Sequence, residues 1–213
     1  METTDNLRIK VCGMREPGNV REVARLPLDY MGFIFYDRSP RFCGGISPDV
    51  LAGVAEMGVV PVAVTVDMAA DELSRLADIY GVGILQLHGS ETPEVCSVLR
   101  SRGFTVWKAV ALRSHLDMEK LAAYAGTVDM FLFDTPAENH GGSGRKFDWN
   151  LLGAYPLATG FMLSGGISPS DAMLIKRLRF PGLMGVDLNS RFEISPGVKD
   201  VALLSEFMAE MKE

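Results

Sequence analysis

Two side chains with reactive groups stand where apolar runs end. Cys12 follows Ile9-Lys10-Val11 and precedes Gly13, and Asp134 follows Phe131-Leu132-Phe133. A lone thiol in such a place is most often a small buried hydrophobe. Next to a positive group or a helix terminus it becomes a thiolate, able to act as nucleophile or general base. A carboxyl at the end of an apolar run caps or turns the chain as readily as it reacts. As a reacting group it is a general acid, provided its surroundings keep it protonated. A thiol and a carboxyl facing one cleft form a usable pair for moving protons.

Other residues suit a small anionic ligand. Ser164-Gly165-Gly166 runs into Ser168-Pro169, and Asp187-Leu188-Asn189-Ser190 follows the last apolar run. Glycine-rich turns next to helix starts bind phosphate through backbone N–H groups. Gly141-Gly142-Ser143-Gly144 reads equally as a flexible loop or a ligand-covering lid. Arg38 and Arg41 are surface residues by default, but a guanidinium at a cleft mouth can fork onto a carboxylate. His88 is a structural hydrogen-bonding residue or a donor into the site. Lys108 has the character of a Schiff-base lysine only if its neighbour Trp107 faces away from the site.

These residues need a frame. Short apolar runs, rich in Val, Ile, Leu and Phe, fall at 7–11, 30–35, 61–66, 84–87, 105–110, 130–133, 161–163 and 183–186. Near-continuous apolar runs of this length read as strands buried on both faces. Helical stripes lie between them, such as Leu73, Leu76, Ala77 and Tyr80, and a last stripe follows them in Val201, Leu204, Phe207, Met208 and Met211. Ser47-Pro48, Thr92-Pro93 and Ser168-Pro169 each place a capping residue before a first-turn proline. Eight strand–helix pairs predict a parallel sheet closed into a (β/α)8 TIM barrel, one domain over 1–213 and near the lower end of the barrel's size range. An open doubly wound sheet is the alternative, disfavoured by the lack of a Gly-x-Gly-x-x-Gly turn after the first strand. In a barrel, chemistry belongs at the carboxyl ends of the strands, where Cys12, His88, Asp134 and Asp187 all fall.

Composition limits the partners. The 213 residues carry a formal charge of −6 with 47% hydrophobic content, which argues against a nucleic-acid surface. Cys12, Cys43 and Cys96 form no CxxC pair and the three histidines stand apart, so a zinc site is not expected. Sparse thiols fit a reducing compartment. The polar, acidic start is unlike a signal peptide, and the apolar run at 57–66, broken by Pro61, is too short to span a bilayer. The expected setting is cytoplasmic, with no membrane partner.

Lys10-Val11-Cys12-Gly13-Met14 resembles the first-strand signature of the phosphoribosylanthranilate isomerase family of tryptophan biosynthesis. The likeness continues in order through Gly32-Phe33-Ile34-Phe35-Tyr36, Ser39-Pro40-Arg41, Gln86-Leu87-His88-Gly89, Phe133-Asp134-Thr135, Phe147-Asp148-Trp149, Leu163-Ser164-Gly165-Gly166, Val186-Asp187 and Pro196-Gly197-Val198-Lys199-Asp200. The resemblance implies a (β/α)8 barrel that performs an Amadori rearrangement without metal or organic cofactor. It assigns the general acid to Asp134 and the general base to Cys12. It sets Arg41 at the anthranilate carboxylate, Asp187 near the sugar hydroxyls and His88 among the substrate-binding residues. Gly165, Gly166, Asn189 and Ser190 match the phosphate loops, and Gly142 and Gly144 belong to a loop closing over the site. The expected partner is a small phosphosugar, and the expected state a monomer or homodimer. One stretch departs: where the family runs close to Ser-Ser-Gly-Val-Glu, this chain has Asn189-Ser190-Arg191-Phe192-Glu193. The alternatives are a histidine-pathway type of phosphosugar isomerase, in which a second carboxylate would replace the thiol, and a phosphate-binding barrel without catalysis.

Overall fold

A computed structural model describes residues 7–112, 115–135 and 148–212. Eight parallel strands close into a barrel: β1 (Arg8–Cys12), β2 (Tyr30–Ile34), β3 (Val60–Thr65), β4 (Ile84–Leu87), β5 (Thr105–Ala111), β6 (Met130–Asp134), β7 (Phe161–Leu163) and β8 (Leu183–Leu188). The seam is the β1–β8 pair, with Lys10 opposite Asp187. The barrel leaves no unpaired edge among its strands, and its closure bears out the (β/α)8 expectation.

The outer ring holds α1 (Pro17–Val23), α2 (Pro48–Glu56), α3 (Ala70–Tyr80), α4 (Pro93–Ser101), α5 (Met118–Ala123), α6 (Ala172–Arg177) and α7 (Val201–Lys212). Proline opens α1, α2 and α4, where a missing N–H costs nothing. Ser47 caps α2 by accepting from Asp49 N at 3.3 Å. Gly81, with φ 64°, ends α3 in the left-handed conformation a glycine tolerates. Leu73 and Ala77 of α3, and Leu204, Phe207 and Met208 of α7, are buried against the sheet, as the helical stripes predicted. Each fully buried Leu or Phe of this layer contributes about 1.5–3 kcal/mol.

A second, smaller core fills the barrel itself, formed by Val62, Val64, Trp107, Leu132 and Met162 among others. Trp107 points inward and meets Tyr30 edge to face at 4.9 Å. Lys108 therefore faces the helices, opposite to what a Schiff-base role required. Its Nζ donates to the carbonyls of Leu87, Gly89 and Ala109 and pairs with the buried Glu91 at 3.1 Å. In β5 both faces carry apolar residues, with Thr105 on one and Lys108 on the other, so alternation alone leaves the inward face undecided, and the large indole takes the interior.

Two connections differ from simple strand–helix alternation. After β6 the described residues carry a 3₁₀ segment, Trp149–Ala154, instead of an α-helix. Asp148 starts it by accepting from Asn150 N, and Pro156 forces Tyr155 to extended backbone, so the segment makes about two 3₁₀ turns. After β8 come a 3₁₀ turn (Ser190–Phe192) and a small hairpin, β9 (Glu193–Ser195) paired with β10 (Val198–Lys199).

Candidate active site

A cavity of about 420 Å³ opens at the carboxyl ends of the strands. Its wall includes Cys12, Arg41, His88, Asp134, Gly165, Gly166, Asp187, Asn189 and Ser190. The barrel thus gathers onto one surface every site residue expected from the sequence that the structure describes. Gly142 and Gly144 lie outside the described residues.

Cys12 ends β1 with its side chain toward the barrel interior, 3% exposed. Lys10, two residues earlier, faces the same way because strand side chains alternate. It is fully buried, and its Nζ donates to Asp187 Oδ1 at 2.9 Å. Burial alone would lower the Lys10 ammonium, but Asp187 and then Cys12 outweigh it and hold it above its ordinary range. Burial pushes the Cys12 thiol up; Lys10 beside it pulls it back, and Asp187 pushes it further up. Asp187 Oδ2 also accepts from Ser164 Oγ at 3.3 Å.

Asp134, at the end of β6, is half-buried across the mouth. Its Oδ1 accepts from Thr135 N at 2.7 Å, and its Oδ2 lies 3.5 Å from His88 Nε2. Gln86 Nε2 stands 3.2 Å from His88 Nδ1, so with the amide donating, the His88 proton sits on Nε2 and faces Asp134. Gln86 itself is wholly buried, and its Oε1 has no hydrogen-bond partner among the described residues.

Gly165 and Gly166 both adopt positive φ, 84° and 69°. At Gly165 a Cβ would stand 2.6 Å from Asp134 Oδ1 and 2.5 Å from Thr135 N. The glycine turn therefore packs directly on the acid. Beyond it, Ser168 N and Oγ both donate to Asp171 Oδ2 at 2.7 Å, so the helix start after β7 is capped by its own carboxylate.

Arg41 reaches the cavity in a fixed pose. Its Nε and Nη2 fork onto Glu193 at 2.7 to 3.1 Å, while Arg38 is exposed. Glu193 also accepts from Lys199 Nζ at 2.7 Å, and Lys199 donates to Asn189 Oδ1 at the same distance. Burial of Lys199 outweighs the pull of Glu193 and brings its ammonium down to about 8. Sequence reasoning passed over Lys10, Gln86, Glu193 and Lys199. The signal for Lys10 and Gln86 was a polar residue inside a short apolar strand, two places before a candidate. Nothing local distinguishes Glu193 and Lys199, whose role depends on the hairpin fold. Among the described residues, no group of three or more His, Cys, Asp or Glu side chains is arranged to hold a metal. No helix among them is long and apolar enough to cross a membrane.

Fold and site together define a (β/α)8-barrel protein with a thiol and a carboxyl facing one cavity at the carboxyl ends of its strands. Residues 9–210 match the family described as N-(5'phosphoribosyl)anthranilate (PRA) isomerase. The chain is 46% identical over 204 residues to N-(5'-phosphoribosyl)anthranilate isomerase of Parabacteroides distasonis, covering 95% of this chain and 92% of that protein. It superposes on the crystal structure of phosphoribosyl anthranilate isomerase from Thermotoga maritima with a TM-score of 0.82 at 30% identity, over 97% and 99% of the two chains. A phosphoribosyl anthranilate isomerase in complex with reduced 1-(o-carboxyphenylamino)-1-deoxyribulose 5-phosphate is similar at TM-score 0.78 and 28% identity, over 97% and 99%. The chain belongs to the phosphoribosylanthranilate isomerase family.

Proposed function

We propose that Asp134 and Cys12 carry the family's reaction in this chain as general acid and general base. The reaction is the Amadori rearrangement of N-(5-phosphoribosyl)anthranilate to 1-(2-carboxyphenylamino)-1-deoxyribulose 5-phosphate, a step of tryptophan biosynthesis. The observation that carries the assignment is one cavity of about 420 Å³ with the thiol of β1 and the carboxyl of β6 both on its wall.

Asp134 gives its proton to the furanose ring oxygen, the C1′–O bond breaks, and the nitrogen lone pair forms the iminium. Cys12 then takes the C2′ proton as thiolate, and the electrons of the C–H bond move into the C1′–C2′ bond and neutralise the iminium nitrogen. The resulting enolamine tautomerises to the ketone. An adjacent iminium makes C2′–H unusually acidic, so a base as moderate as a thiolate suffices. His88, whose Nε2 lies 3.5 Å from Asp134 Oδ2, is among the substrate-binding residues, and Asp187 takes sugar hydroxyls. Arg41 meets the anthranilate carboxylate with the guanidinium edge that Glu193 leaves unused. Gly165, Gly166, Asn189 and Ser190 hold the phosphate, with backbone N–H groups the natural donors. We further read the chain as a cytoplasmic monomer or homodimer, a compartment in which its three free, buried cysteines stay reduced.

The test follows the loss of phosphoribosylanthranilate fluorescence with purified protein. Cys12→Ala and Asp134→Ala should each lower kcat by about 10²–10⁴-fold with the circular dichroism spectrum unchanged. Wild-type turnover in either folded variant would overturn the assigned role.

A further inference from the structure

The space next to the proposed base is shaped by a side chain that is absent. Gly32 of β2 is the register partner of Cys12 on β1. A Cβ on Gly32 would stand 2.8 Å from Cys12 Sγ and 3.0 Å from Lys10 Nζ. Thiol and ammonium therefore meet over one vacant side-chain position in the barrel interior. A charged lysine in such a place is costly, since removing an ammonium from water must be repaid by partners. An apolar residue would fill the same layer of the barrel at lower cost. The other charges that face the thiol are Asp187 from β8, 2.9 Å from the same Nζ, and Lys199 from β10. Cys43, in the loop after β2, is the further titratable neighbour, also buried.

We infer that Lys10 is a positioning residue for the base: its ammonium, tethered by Asp187 and admitted by Gly32, eases formation of the Cys12 thiolate that receives the C2′ proton, against the burial that favours the thiol. Lys10 touches no reacting atom in this scheme and acts only through the sulfur. Burial and Asp187 both oppose ionisation of the thiol, and Lys10 is the largest influence favouring it. The inference rests on Cys12 being the base, so its test includes a readout independent of turnover.

Iodoacetamide alkylation of Cys12, located by peptide mass spectrometry, is measured against pH for the wild type, Lys10→Met, Lys10→Arg and Gly32→Ala, beside kcat and KM. Lys10→Met should move the alkylation midpoint up by about one pH unit or more. At pH 7 that corresponds to a loss of about tenfold or more in kcat, with KM within about a factor of two. Lys10→Arg, which keeps the charge, should restore much of the midpoint. Gly32→Ala, which displaces sulfur or ammonium, should shift it in the same direction by less. A folded Lys10→Met with the wild-type alkylation profile overturns the inference, whatever its activity. Should Lys10→Met fail to fold, an unchanged profile in folded Gly32→Ala does the same. Full activity of Cys12→Ala would sink the base assignment instead, and the two failures are told apart by the alkylation arm.

Discussion

Glu193 illustrates how single residues behind the cavity wall control those on it. Burial would raise its carboxyl, but the Arg41 fork and the nearby Lys199 charge outweigh burial and hold it below its ordinary 4.5. The folded protein thus releases this proton at lower pH than the unfolded chain. The stabilisation is complete above pH 4.5 and fades as pH falls through the lower folded value. Glu193→Gln should cost about 1–3 kcal/mol at pH 7 and flatten the loss of stability on acidification, read by urea unfolding at pH 7 and at pH 4. It should also raise KM, because Arg41 loses its anchor. Cys12 and Asp134 were visible in the sequence because each terminates an apolar run. Glu193 was not, because only the hairpin after β8 brings it to Arg41, 152 positions away in sequence.

Among the elements, α2 and the β1–β8 seam give opposite answers to the same change. Gly53 lies inside α2, and a Cβ there would meet nothing within 4 Å. Gly53→Ala removes backbone freedom from the unfolded chain and adds a good helix former, so it should stabilise by about 0.5–1 kcal/mol. Gly185 lies in β8, where a Cβ would come 2.2 Å from Arg8 O, a backbone atom that cannot swing away. Gly185→Ala should destabilise by about 1–3 kcal/mol as the seam separates, measured in the same urea titration. The strands and most helices could be read from runs and caps. The strength of the seam at Gly185 could not, since a glycine in an apolar run carries no sign of which backbone it approaches. The orientation of β5 was hidden for a related reason: with one polar residue on each face, Thr105 and Lys108, its alternation reads either way, and the packing of Trp107 on Tyr30 turns Lys108 outward.

Across the whole molecule, closure of the sheet brings groups scattered along the sequence to one rim. Arg41 comes from the loop after β2, Asp134 from β6, Gly165 from the turn after β7 and Cys12 from β1. The alternating pattern made this convergence readable without any contact being known. In the proposed mechanism the carboxylate and phosphate ends of the substrate lie at different strands, with the reacting carbon between them. The turn at Gly165, however, is no separate anchor, since the place of its missing side chain is 2.6 Å from Asp134 Oδ1. In the proposed mechanism the grip on the phosphate and the aim of the acid are then one mechanical part. A substrate lacking its phosphate should accordingly lose turnover as well as affinity, with kcat falling by about tenfold or more in a saturating assay. A loss confined to KM would separate the two again. Evolution toward a different sugar end could therefore not begin at this loop without retuning the proton donor, and change is freer on the Arg41 side of the rim.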